Sequence, residues 1–361
     1  MLSTHANPAK TTLTIADLNC SGSEVHASET TQAPIPASKQ APMQASKQAH
    51  IQAAIHAPGA VVMVRPHQFK PNPQTANDNA FQVNDKITLS QQQIAKQAFD
   101  EVTQVASKLS TLGVKVHLFE DKLSSTPDAV FPNNWFSTHS DGQLYIYPMY
   151  AENRRLEKRD DIIEHLIANY QVTQLTDLSS WEQKQQFLEG TGVLVIDHLN
   201  HLVYVTRSKR ADEAPLMDFC QQQNLSPVFF TATDRRGKAI YHTNVLMCVT
   251  TDFVIIADEM IPDNKEREQV LKFIRHSGKA HISLTENQIN QFAGNMFELS
   301  GSEGRFIAMS TTAYQSLSKQ QISVLLAKTR IETFDIPTIE MAGGSIRCML
   351  AGIHLTPSPK L

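Results

Sequence analysis

Four polar residues recur at a single interval along this chain. Glu189 (FLEGTG), His242 (AIYHTN), Asn295 (FAGN) and Cys348 (GGSIRCM) each lie 53 residues after the one before, and Asn134 (VFPNN) lies 55 residues before Glu189. Each stands just before, or within, an apolar run of strand character. Equal spacing at equivalent strand positions is the mark of a repeated unit whose copies surround a common centre. That constrains the fold more than any other feature of the chain, because a unit of about 50 residues cannot cover its own apolar faces.

The rest of the chain supplies the repeat. AVVMVRP, from Ala60, reads as a strand. Ile94, Phe99, Val102, Val105, Ala106 and Leu109 follow at three- and four-residue spacing and predict a helix over 90–112. VKVHLF is the next strand, and NWFSTHSDGQLYIYPM reads as a hairpin turning at Asp141 and Gly142. The same succession returns. A helix over 160–170, with Ile162, Ile163, Leu166 and Ile167, leads through VTQL to the hairpin GVLVIDHLNHLVYV. Helices near 212–223 and 264–276 lead through PVFFTA and AHISL to NVLMCVTTDFVIIAD and NMFELSGSEGRFIAMS. A last helix near 318–328 leads through IETFDI to a final strand, IRCMLAGIHL. The pattern predicts about five helix–strand–hairpin units closed around one axis, the last completed by the N-terminal strand. Closure removes exposed sheet edges. An open α/β sheet split into two domains is the alternative.

The segment 1–58 is different in kind. It is rich in Ala, Gln, Ser, Thr and Pro, has no Phe, Tyr or Trp, and carries a near-duplicate, APIPASKQ then APMQASKQ. So little apolar surface predicts a disordered low-complexity tail, with residues 59–361 forming one domain. It lacks the arginine enrichment of a transit peptide, and no charged stretch followed by an apolar one marks a secretory signal.

The formal net charge of −4, with no long run of either sign, gives no support for nucleic acid or for a basic membrane-binding face. No apolar run is long enough to span a bilayer. The four cysteines, Cys20, Cys220, Cys248 and Cys348, are scattered without metal-type pairs, which predicts a reducing, cytoplasmic setting. There is no GxGxxG after a strand, no P-loop and no CxxC, so neither a nucleotide cofactor nor structural zinc is expected. Asp197, His198 and His201 fall at a hairpin tip, where a surface turn explains them better than a metal site. The chain is compatible with a homo-oligomer.

Against that background a few side chains could carry chemistry. Cys348 follows Gly343 and Gly344, which let backbone or ligand approach where a side chain would block it. A buried cysteine is ordinarily apolar filler. Arg347 precedes it, but neighbours on a strand point to opposite faces, so its charge is expected to be solvated or salt-bridged elsewhere. Glu189, followed by Gly190, Thr191 and Gly192, reads as a tight turn at a strand start, an unusual place for a merely solvated carboxylate. Asn133 and Asn134, Asn244 and Asn295 occupy corresponding strand starts. One such asparagine is a turn residue; three in register predict a polar ring lining a pocket. A cysteine, a histidine and a carboxylate at one centre make a nucleophile, a proton shuttle and an orienting group.

These residues resemble the motifs of the guanidino-group modifying superfamily, whose fold is the pentein. That superfamily includes arginine deiminase, dimethylarginine dimethylaminohydrolase, succinylarginine dihydrolase and the amidinotransferases. PDAVFPNNWF looks like its first substrate-binding motif, FLEGTG like its acidic-glycine motif, YHTN like its catalytic histidine motif and GGSIRCM like its C-terminal cysteine motif. The likeness covers about 60–355 and is nearest to a bacterial branch of amidinotransferase-like or citrulline-utilisation hydrolase type. It implies a five-bladed α/β propeller of ββαβ units with pseudo-fivefold symmetry. It further implies Cys348 as nucleophile, His242 as general acid/base, Glu189 as the carboxylate near the reacting group, and neither cofactor nor metal.

One departure bears on substrate. Where arginine deiminase holds the guanidinium with two aspartates, this chain has Asn134 and Asn244. An amide both donates and accepts, which suits a neutral ureido group such as that of citrulline better than a cation. Succinylarginine dihydrolase resembles this chain in its Pro-Asn-Asn motif yet uses a guanidino substrate, so both classes stay open. Arg65, in VMVRPHQF, is the candidate for the substrate's carboxylate. The expected reaction is covalent hydrolysis at a guanidino or ureido carbon, with citrulline favoured. An amidinotransferase, an arginine-type deiminase or a non-catalytic amino-acid-binding protein are the alternatives.

Overall fold

A computed structural model describes residues 56–82 and 89–359. Its strands are β1 (Ala60–Pro66), β2 (Lys115–Asp121), β3 (Phe136–Thr138), β4 (Gln143–Ile146), β5 (Gln174–Asp177), β6 (Val195–Asp197), β7 (Leu202–Thr206), β8 (Ser226–Phe230), β9 (Met247–Val249), β10 (Phe253–Ile256), β11 (Ala280–Ser283), β12 (Phe297–Gly301), β13 (Gly304–Ser310), β14 (Arg330–Phe334) and β15 (Ala351–Gly352). Among the described residues they form five three-stranded sheets: β15-β1-β2, β3-β4-β5, β6-β7-β8, β9-β10-β11 and β12-β13-β14. In each, the middle strand is antiparallel to one neighbour and parallel to the other. In four of the sheets a tight hairpin makes the antiparallel pair, and in all five the parallel pair requires a crossover, which a helix supplies. The molecule is a five-bladed α/β propeller.

The ring closes as the sequence pattern implies. β1 pairs antiparallel with β15, Val61 opposite Gly352 and Val62 opposite Ala351, so the first and last strands complete one blade. Both faces of β1 are buried. Val61 and Met63 pack with Ile94, Ala98, Val102 and Leu109, whereas Val62 and Val64 pack with Phe136, Leu144, Ile162 and Leu166. A two-residue side-chain period in a strand covered on both sides reads as an unbroken apolar run.

The first crossover helix, Gln91–Thr111, begins at Ser90, whose side chain accepts from the Gln93 backbone N–H while Gln93 reaches back in a capping box. Such a cap contributes about 1 kcal/mol. The helix buries Ile94, Val102, Val105, Ala106 and Leu109 as its spacing predicts. Phe99 is only half-buried. The later crossovers are Asp160–Asn169, Glu213–Gln223, Asn264–His276 and Lys319–Leu326. Ile167, expected on the buried face of the second, is 48% exposed.

Three features depart from the sequence reading. The final strand is only two residues long, because Ile346–Met349 forms one helical turn. Single turns Gly190–Val193 and Thr243–Leu246, and a 3-10 turn Pro132–Asn134, likewise precede β6, β9 and β3. Four apolar letters cannot distinguish a strand from one helical turn. Second, His56, Ala57 and Pro58, assigned by composition to the tail, are buried. Residues 1–55 of that expected tail lie outside the described residues. Third, Asp197, expected in a surface turn, is buried and pairs with His56 at 3.1 Å and Lys279 at 3.5 Å.

Candidate active site

The single turns bring the spaced polar residues together. Glu189 sits at the cap position of the turn Gly190–Val193, and the glycines after it are sterically required. Gly190 has φ +41°, and a Cβ there would stand 2.6 Å from the Asn133 carbonyl oxygen. A Cβ on Gly192 would stand 2.4 Å from the Asn134 side-chain amide and 2.8 Å from the His242 ring. The acidic loop therefore lies directly against both the Pro-Asn-Asn turn and the histidine.

His242 Nε2 lies 2.7 Å from Glu189 Oε2, and both side chains are buried. Glu189 Oε1 accepts from the Tyr150 backbone N–H at 3.1 Å. Its Oε2 also faces Arg210 Nη1 at 3.3 Å and Arg154 Nη1 at 3.5 Å. Burial alone would raise the Glu189 pKa. Arg210, the hydrogen bond with His242, and Arg154 outweigh it and hold the carboxyl well below its ordinary range. Burial pushes His242 the other way for a base, down to about 4, against the pull of Glu189 and with help from Arg210 and Arg154. The resting pair is thus a carboxylate and a neutral imidazole. Since a carboxylate only accepts, Nε2 carries the proton and Nδ1 keeps its lone pair. Nδ1 is buried and has no hydrogen-bond partner among the described residues.

Cys348 lies on the turn Ile346–Met349, 2% exposed. Two amides converge on its sulfur: Asn295 Nδ2 donates to Sγ at 3.3 Å and Asn244 Nδ2 at 3.5 Å. Asn295 also donates to the Asn244 carbonyl oxygen at 2.9 Å and accepts from the Arg347 backbone N–H at 3.0 Å, so it ties the two turns together. Gly344 leaves the space needed beside Phe131, whose ring a Cβ would meet at 2.8 Å.

Asn134 and Asn133 are both buried but differ in role. With its carbonyl turned toward Arg154, Asn134 accepts from Nη1 and Nη2 at 2.9 and 3.2 Å, and its amide donates to Asn133 Oδ1 at 3.1 Å. Asn133 bonds Thr191 Oγ1 at 3.3 Å and braces the two turns. Asn134, His242 and Cys348 line one small cavity together with Arg154, Arg210, Asp128 and Tyr241. Its free volume is about 10 Å³, room for about one water. Asp78 and Asn79 close over it: Asp78 grips Arg210 at 2.8 and 3.1 Å, and Asn79 donates to the Ala342 carbonyl oxygen at 3.0 Å.

Arg65 is not brought to this cavity. It stands opposite Glu120 in the β1–β2 register, pairs with that carboxylate and with Thr103, and lays its guanidinium 4.4 Å from the Phe99 ring centre. A cross-strand carboxylate and an aromatic face satisfy it on the outside of the blade. The arginines at the site are Arg154 and Arg210, which motif reading passed over. Their signal was the repeat itself: Arg154 lies 20 residues after Asn134 and Arg210 lies 21 after Glu189. Asp128, inside PDAVFPNNWF, was likewise not singled out. It is buried; its Oδ2 accepts from Asn72 at 2.8 Å and faces Arg154 Nε at 3.7 Å, while its Oδ1 has no partner among the described residues. Burial raises its pKa despite Arg154.

Arg347 also departs from expectation. It is half-buried and has no salt-bridge partner among the described residues: its guanidinium lies 4.0 Å from the Phe297 ring centre and donates to the Leu350 carbonyl oxygen at 2.9 Å.

A family model described as N,N dimethylarginine dimethylhydrolase, eukaryotic, matches residues 65–355. No curated protein sequence matches the chain. Among solved structures, the N-terminal domain of ArgZ, an arginine dihydrolase of the ornithine-ammonia cycle in Cyanobacteria, superposes with TM-score 0.63 at 15% identity, over 81% of this chain and 97% of that one. AgrE in complex with ornithine and NAD+ gives 0.64 at 14% identity, over 83% of this chain and 40% of that one. The dimethylarginine dimethylaminohydrolase of Pseudomonas aeruginosa, in a cysteine-to-serine mutant complexed with citrulline, gives 0.56 at 13% identity, over 82% and 100%. At these identities the superpositions speak for the pentein fold.

Proposed function

Because this chain belongs to the N,N-dimethylarginine dimethylhydrolase family, C–N hydrolases of the pentein superfamily that act on arginine-related compounds, we propose that it hydrolyses a ureido or guanidino amino acid through Cys348, with citrulline the favoured substrate. One observation carries the reading: the Cys348 sulfur receives the amides of Asn244 and Asn295, and Cys348 lines one cavity with His242, which Glu189 holds from behind.

His242, neutral and with Nδ1 free, takes the thiol proton, and the thiolate attacks the central carbon of the substrate. The tetrahedral adduct collapses with cleavage of a C–N bond, and His242 returns the proton to the departing nitrogen. Glu189, which stays ionised, holds the imidazole in one tautomer and stabilises it when it is protonated. Water, deprotonated by His242, then attacks the thioester-like carbon, the C–S bond breaks and the thiol regains its proton.

The preference for a ureido group rests on charge. The groups hydrogen-bonded to the sulfur are amides; Glu189 is engaged by His242, Arg210 and Arg154, and the carboxylate that lines the cavity, Asp128, faces Asn72 and Arg154. The two amides on the sulfur offer a cationic guanidinium no counter-charge, whereas a ureido carbonyl and its N–H groups match them. Other groups that line the cavity suit an amino-acid head: the unpartnered Oδ1 of Asp128 for an ammonium, Arg154 and Arg210 for a carboxylate. Asp78 holds Arg210 in the closed form, so a substrate carboxylate must displace it.

The test is product analysis with citrulline, arginine, N,N-dimethylarginine, agmatine and succinylarginine, with Cys348→Ser as control. Ornithine and ammonia from citrulline are expected. Citrulline with dimethylamine from N,N-dimethylarginine, or ammonia from arginine, would make the substrate a guanidino compound. No turnover of any of the five would overturn the reading.

A further inference from the structure

The turn that carries Cys348 has a second face. Behind it, away from the cavity that holds His242, lies another cavity, lined by His56, His139, His198, His354 and Arg347. Its free volume is about 50 Å³, the space of about four waters or one small ion of three or four heavy atoms. The imidazoles crowd one another: His198 lies 4.8 Å from His354, 5.5 Å from His56 and 6.4 Å from His139, ring centre to ring centre.

The charges in this cavity do not balance. Arg154 faces Glu157, Asp128 and Glu189, and Arg210 faces Asp78 and Glu189. Arg347 has no carboxylate partner among the described residues; a carbonyl oxygen and the Phe297 ring are its neighbours. Arg347 is half-buried, and partial removal of a guanidinium from bulk water without a carboxylate partner is unfavourable; burial lowers its pKa to about 10. Asp197, the acid paired with His56, is also engaged by Lys279. Burial holds His139 down to about 4 and His198 well below its ordinary value, so at neutral pH they are uncharged and each offers an N–H. No hydrogen bond to the His198 ring is present among the described residues. Nor, among those residues, do any three His, Cys, Asp or Glu side chains stand as a metal-ligand set.

We propose that this cavity is a site for a small planar oxoanion of the bicarbonate or nitrate kind, with Arg347 as its charged ligand and His198 as a hydrogen-bond donor. The site is coupled to the nucleophile. Arg347 adjoins Cys348, and Asn295 holds both the Arg347 backbone N–H at 3.0 Å and the Cys348 sulfur at 3.3 Å. Asn244 lines this cavity and donates to the same sulfur. An anion neutralising Arg347 removes positive potential from behind the thiolate, so it slows the thiol's reactions. The site is read from charge and shape, and it stands whichever substrate the enzyme takes.

The test is calorimetric titration of the full chain with sodium nitrate and with sodium bicarbonate at constant ionic strength, alongside Cys348 alkylation by iodoacetamide. Saturable one-site binding in the millimolar range is expected, weakened at least about ten-fold in Arg347→Met and in His198→Phe, and retained in Arg210→Met. Saturating nitrate should slow alkylation of the wild-type protein and leave Arg347→Met unaffected. His198→Phe carries the test if Arg347→Met fails to fold. Absence of saturable binding up to about 50 mM would overturn the proposal. So would binding that survives Arg347→Met but is lost in Arg210→Met, which would place the anion on the arginines of the active cavity.

Discussion

His242 Nε2 and Glu189 Oε2 are 2.7 Å apart in a buried site, and Arg154 and Arg210 face the same carboxylate oxygen. The arginines keep Glu189 ionised, and Glu189 fixes the proton of His242 on Nε2. Glu189→Gln replaces an acceptor-only group with one that can donate, which favours the wrong tautomer. Turnover should fall by about 10²–10⁴-fold with a smaller change in KM. Steady-state kinetics decides, and a variant retaining half the wild-type kcat removes Glu189 from the mechanism.

Cys348→Ser should keep the fold and lose turnover, since the sulfur's surroundings are two amides that a hydroxyl also satisfies. Acid-quenched wild-type protein with substrate should carry a mass increment on the peptide containing Cys348, and the variant none. Turnover by Cys348→Ser near the wild-type rate would exclude the covalent route.

Recognition of the amino-acid head should separate three side chains. Arg210→Met and Asp128→Asn each remove a group lining the cavity and should raise KM by about ten-fold or more. Arg65→Met should leave KM within about two-fold, because it breaks only a partly exposed ion pair worth about 1 kcal/mol or less. The three KM values measured side by side test the assignment; a large effect from Arg65→Met would return the carboxylate to that residue.

Gly192→Ala places a methyl group 2.4 Å from the Asn134 side-chain amide and 2.8 Å from the His242 ring. Neither neighbour can retreat without breaking a buried contact, so a destabilisation of about 1–3 kcal/mol and a larger fractional loss of kcat are expected. Denaturant melts and kinetics on the same sample check both. Unchanged kcat would mean that the turn tolerates displacement.

Stability should decline with acidification in a defined window. In the folded chain His242 and His139 titrate near about 4, whereas in the unfolded chain they titrate near 6.5. Between these values the unfolded state binds protons that the folded state does not, so stability falls as the pH drops from about 6.5 to about 4, and these groups contribute no slope above about 7. Each contributes on the order of 3 kcal/mol across the window. Glu189, depressed, remains ionised throughout it. Asp128, raised, acts with the opposite sign. Melting temperatures at pH 7.5, 6.5, 5.5 and 4.5 should fall monotonically below 6.5, and a flat series would contradict neutral burial of the histidines.

What the sequence by itself determined is local or periodic. Apolar runs, helical spacing and turn residues mark the strands, helices and hairpins, and the 53-residue interval marks their repetition. Closure of β1 on β15 follows from those signals because an incomplete blade has one obvious partner. Glu189, His242, Asn295 and Cys348 were legible because each copy of the unit places one chemically distinctive residue at the same point. Tertiary structure alone decided three things. It made helical turns of the short apolar runs at the site, where four residues carry no period. It selected Arg154, Arg210 and Asp128 over Arg65, since which arginine faces the cavity depends on which carboxylates neighbouring blades present. It set Arg347, with no carboxylate partner among the described residues, in a cavity lined by four histidines from distant segments. Contacts between residues from different blades depend on how the ring closes, and no local pattern encodes that.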